Sequence, residues 1–103
     1  MKKKILYIEK EKFLRQSLEL FFKKLGYEIY TLETLDLHEY LLAELSPEVI
    51  LADLDSISDD QMSLLKELKE VRLLFTAKNT DGHKDVLLKP FNIATLLTQL
   101  GIK

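Results

Sequence analysis

Two kinds of hydrophobic pattern take turns along this chain, and that alternation limits its possible folds more than any other feature. Ile5-Leu6-Tyr7-Ile8 is a short continuous apolar run, the mark of a strand buried on both faces. From Phe13 to Leu25 the period changes, with Leu14, Leu18, Phe21 and Leu25 recurring at helical steps. Gly26 follows, where a helix ends best in left-handed geometry. Tyr27 to Leu32 alternates and is rich in aromatic and β-branched residues, which predicts a second strand at a sheet edge. Asp36 with Glu39 forms a capping pair that opens a second helix on the stripe Leu37, Leu41 and Leu45, ended by Ser46-Pro47. Glu48 to Ala52 is another buried-type strand, running straight into Asp53. Ser58 with Gln61 repeats the capping signal before a third helix on Met62, Leu65 and Leu68.

Val71 to Phe75 predicts a fourth strand that stops at Thr76. Lys78 to Asp85 holds no apolar residue and cannot supply the buried face of a packed helix. Val86-Leu87-Leu88 reads as a fifth strand ending at Lys89-Pro90, and Ile93, Leu96, Leu97 and Leu100 form a last helical stripe closed by Gly101. Strands alternating with helices in this way predict an α/β fold: a doubly wound, five-stranded parallel sheet with helices on both faces. The length of 103 residues suits a single domain spanning 1–103.

Charge and composition then remove whole classes of function. Fifteen basic against seventeen acidic residues lack the basic excess of a nucleic-acid binder. With no cysteine, disulfides, thiolate zinc sites and cysteine nucleophiles are excluded, and a reducing, cytoplasmic setting is expected. Met1-Lys2-Lys3-Lys4 starts like a secretory leader, but the apolar run after it ends at Glu9-Lys10-Glu11-Lys12. No membrane span is expected.

In parallel sheets, ligands bind beyond the carboxyl ends of the strands. The polar residues at those ends are Glu9 and Lys10, Asp53, Thr76 and Lys89. Their convergence would suit an anionic ligand or a phosphoryl group. His38 and His83 lack ligand spacing, and Asp55, Asp59 and Asp60 read as helix N-terminal charges.

These residues carry a resemblance. Pro47-Glu48-Val49-Ile50-Leu51-Ala52-Asp53-Leu54, Phe75-Thr76-Ala77 and Lys89-Pro90-Phe91, in this order, resemble the receiver domains of two-component response regulators, the CheY-like group. Asp60 falls on that family's Asp-Gly pair, with Gln61 replacing the glycine. The resemblance covers essentially the whole chain and implies the strand order 2-1-3-4-5. It makes Asp53 the phosphoacceptor, fed by a histidine kinase, and Thr76 and Lys89 the phosphoryl contacts. It also implies Mg²⁺ held by an acidic pair after the first strand.

Three departures change what the resemblance implies. The acidic pair is Glu9-Lys10, and the Lys10 ammonium opposes Mg²⁺. Only Glu9 and Asp53 remain as weak metal candidates, no cofactor is expected, and two readings of Lys10 stand side by side: its ammonium takes the metal's place against Asp53, or it is a solvated lysine of the loop Glu9-Lys10-Glu11-Lys12. Val86 occupies the aromatic switch position. The short stretch between Thr76 and Lys89 implies that the fourth helix is missing or reduced to a loop, leaving the fifth strand irregular or differently paired. The apolar surface bared by that loss would be covered by a homodimer partner or by another protein, whether kinase, phosphotransfer or output protein.

The expected function is a stand-alone atypical receiver in phosphorelay signalling. It would be a protein-interaction module rather than an enzyme, with impaired Mg²⁺-dependent phosphorylation. The alternative is a conventional phosphoacceptor on Asp53. A flavodoxin-like small-ligand enzyme is remote, because Glu9-Lys10-Glu11-Lys12 replaces the phosphate loop such a site needs.

Overall fold

A computed structural model describes residues 3–79 and 86–101. Five strands, β1 (Lys4–Ile8), β2 (Glu28–Leu32), β3 (Val49–Asp53), β4 (Arg72–Ala77) and β5 (Val86–Leu88), form one sheet in the order β2-β1-β3-β4-β5. Every pairing is parallel. The helices are α1 (Lys12–Lys24), α2 (Leu41–Leu45), α3 (Asp59–Lys66) and α4 (Ile93–Gln99), with a 3-10 turn at Leu54–Ser56. Among the described residues no helix is long and apolar enough to cross a membrane.

The continuous apolar runs exist because the sheet has a core on each face. Along β1, Ile5 and Tyr7 join Leu18 and Phe22 of α1 and Leu96 of α4 on one side. Leu6 and Ile8 face the other side, with Leu35, Ile50 and Leu65. Ile5 to Ile8 of β1 and all of β3 are therefore buried whichever way they point, and polar alternation disappears from these strands.

The expected second helix is corrected. Asp36 caps nothing, α2 begins only at Leu41, and Leu37 is 93% exposed at φ +64°. Asp36 is drawn elsewhere: its Oδ1 accepts a 2.6 Å hydrogen bond from Gln61 Nε2. Leu35, not Leu37, fills the core beside Leu42 and Leu45. The capping box opening α3 is present in full, with Ser58 Oγ accepting from the Gln61 amide and Gln61 Oε1 from the Ser58 amide.

β5 stands where the sequence places it and completes the order 2-1-3-4-5: Phe75, Thr76 and Ala77 lie in parallel register with Val86, Leu87 and Leu88, so it is neither irregular nor paired elsewhere. The expected loss of a helix concerns the connection over 78–85, and 80–85 lie outside the described residues, as does His83.

Candidate functional site

Register brings the site together. Ile8 pairs with Ala52, Asp53 with Thr76 and Ala77 with Leu88, so Glu9, Asp53, Thr76 and Lys89 emerge at one sheet edge. Glu9, Asp53 and Thr76 are fully buried, and the Lys89 side chain is 8% exposed. The Lys89-Pro90 peptide is cis.

Lys89 is the centre of the cluster. Its Nζ lies 2.5 Å from Glu9 Oε1, 2.9 Å from Asp53 Oδ1 and 3.9 Å from Glu11 Oε2. Burial alone would push this ammonium down, but hydrogen bonds and charge from Glu9 and Asp53 outweigh it and hold Lys89 above its ordinary value. Of the two readings of Lys10, the ammonium in the metal's place is corrected here. Lys10 is exposed, its ammonium makes no ion pair among the described residues, and the cation on Asp53 is Lys89. Lys10 instead contributes its backbone, since its amide donates to Ser56 Oγ at 2.8 Å.

Three participants carried no signal of their own in the sequence. Ser56 Oγ donates to Asp53 Oδ2 at 2.7 Å. Tyr7, two residues before Glu9, donates its phenol to Glu9 Oε1 at 3.3 Å. The Glu11 amide donates to Glu9 Oε2 at 3.1 Å. Burial, then the Glu9 carboxylate, pushes the Tyr7 phenol well up, so it remains a donor at any ordinary pH. Arg15 braces the same turn by donating to the Glu9 carbonyl at 2.9 Å.

Two atoms of this cluster, Thr76 Oγ1 and Asp53 Oδ1, are buried without a hydrogen-bond partner among the described residues, and Asp53 Oδ1 is met only by the Lys89 ammonium as an ion pair. Val86 packs, half-buried, against the cluster that contains Phe75.

The donor set does not fit Mg²⁺, which asks for bare carboxylate oxygens and water in octahedral array. Here both oxygens of Glu9 and Asp53 Oδ2 accept hydrogen bonds from the protein, Asp53 Oδ1 faces the Lys89 ammonium, and that one ammonium bridges both acids. Among the described residues no group of three acidic or imidazole side chains is placed to hold a metal.

No model of a known protein family matches the sequence. Solved structures do match the fold. The BeF3-activated N-terminal receiver domain of Klebsiella pneumoniae RstA is 20% identical with a TM-score of 0.75, covering 96% of each chain. A receiver-modulated diguanylate cyclase from Pelobacter carbinolicus is 25% identical with a TM-score of 0.71, covering 96% of this chain and 91% of that one. A CheY-like receiver domain from Methylobacillus flagellatus is 15% identical with a TM-score of 0.78, covering 98% of each. The fold is that of the response-regulator receiver domains, with the flavodoxin-like strand order 2-1-3-4-5.

Proposed function

We propose that this chain is a receiver domain of two-component signal transduction, working as a protein-interaction module rather than as an enzyme, with Mg²⁺-dependent phosphorylation impaired. One observation carries the reading: the Lys89 ammonium occupies the space between Glu9 and Asp53, while position 10, where the resemblance places an acid, presents an exposed lysine. Phosphoryl transfer to a carboxylate brings two anions together and relies on cations to offset them. Here the one cation buried at this cluster among the described residues is already shared by two acids. Its partner would be a histidine kinase, a phosphotransfer or output protein, or a second copy meeting it along the β4–β5 side.

The second reading, a conventional phosphoacceptor, has its own support. Thr76 Oγ1 lies buried beside Asp53 with a hydroxyl to spare for an arriving oxygen. Beryllofluoride with Mg²⁺, read by fluorine NMR on wild type and Asp53→Asn, separates the two. The module reading expects no bound-fluoride signal from either protein. Stoichiometric labelling of wild type and none of the variant would sink it.

A further inference from the structure

The four carboxylate oxygens of Glu9 and Asp53 differ in who covers them, and Ser56 and Tyr7 cover two of them from outside the matched motifs. A carboxylate only accepts and an amide N–H only donates, so the order of donors is fixed. The Lys10 amide donates to Ser56, leaving the single Ser56 proton for Asp53 Oδ2. Tyr7 likewise spends its single proton on Glu9 Oε1. Ser56 is 7% exposed and Tyr7 fully buried, so water does not compete strongly for either bond.

We infer that Ser56 and Tyr7 are positioning residues that keep this site metal-free, Ser56 by tying Asp53 to the turn after β1 and Tyr7 by fixing Glu9. The inference rests on the reading that the site works without Mg²⁺. A cation approaching Asp53 Oδ2 or Glu9 Oε1 meets the positive end of an O–H dipole and must displace it. The Lys10 side chain is not the whole obstacle, because position 10 enters the chain of donors through its amide, which any residue except proline supplies. An acid at position 10 therefore leaves Asp53 Oδ2 covered as before.

The test is a Mg²⁺ titration of the whole protein followed by amide NMR shifts, in wild type, Lys10→Asp, Lys10→Asp/Ser56→Ala and Lys10→Asp/Ser56→Thr. Lys10→Asp is expected to bind weakly, and adding Ser56→Ala to tighten binding about tenfold, since the ion then no longer has to displace one hydrogen bond to a charged oxygen. Ser56→Thr, which keeps the hydroxyl, should leave affinity at the Lys10→Asp level. Should Ser56→Ala fail to fold, Lys10→Asp/Tyr7→Phe makes the same comparison at Glu9. Equal affinity in Lys10→Asp with and without the second substitution overturns the role of these hydroxyls. Mg²⁺-dependent labelling of wild-type Asp53 by beryllofluoride overturns the underlying reading, and does so independently of the Ser56 result.

Discussion

Lys89 and Tyr7 both hold their protons more tightly in the folded protein than in the unfolded chain, Lys89 above an ordinary value of 10.5 and Tyr7 above 10.0. Their contribution to stability is therefore complete through neutral pH. It is lost as pH rises above about 10, where the unfolded state gives up protons that the folded state retains. Urea unfolding across that range should show the decline, and Tyr7→Phe should make it shallower. Lys89→Met leaves two buried carboxylates without their cation and is expected to lower stability by about 3 kcal/mol, partly restored by adding Asp53→Asn. Calorimetric melting of the single and double variants checks both. At this scale the sequence located Glu9, Asp53, Thr76 and Lys89, because each directly ends or follows a strand. It left Lys10 open between pairing with Asp53 and standing in solvent, and the second holds: the cation on Asp53 is Lys89. Tyr7 and Glu9 are two apart and point to the same side, so the residue between Glu9 and Glu11 points away, and neighbourhood in sequence said nothing of reach in space.

Among the elements, α3 was legible and α2 was not, for one shared reason. A capping box is a local device: Ser58 and Gln61 satisfy each other's amides regardless of the rest of the fold. Ser58→Ala should lower stability by about 1 kcal/mol in urea unfolding. Asp36 and Glu39 have the same spacing, yet Asp36 is claimed by Gln61 across the molecule. Asp36→Ala is accordingly expected to cost a similar amount while leaving helical circular dichroism unchanged. A loss of helical signal would instead restore Asp36 as a cap of α2. β5 was legible as well, from the apolar run Val86-Leu87-Leu88. Its place comes from β4, whose edge supplies the register.

For the molecule as a whole, the alternation of apolar runs and helical stripes was enough to give the class of fold, because a sheet with two covered faces leaves that signature. The two sides of α1 show how sharply it divides core from surface. Phe22 is fully buried and Phe13 is 85% exposed. Phe22→Ala should cost about 3–5 kcal/mol and Phe13→Ala under about 0.5 kcal/mol by the same unfolding measurement. The bridge made by Lys89 also sets an order of events during synthesis. Glu9, Asp53 and the strands that bury them leave the ribosome before residue 89 does. Until that lysine arrives, a nascent chain that pairs β1 with β3 brings two acids to one dry edge without the ammonium that reconciles them. β5 thus leads in the charge that lets β1 and β3 close, and the described sheet gains its full cohesion only once residue 89 has emerged.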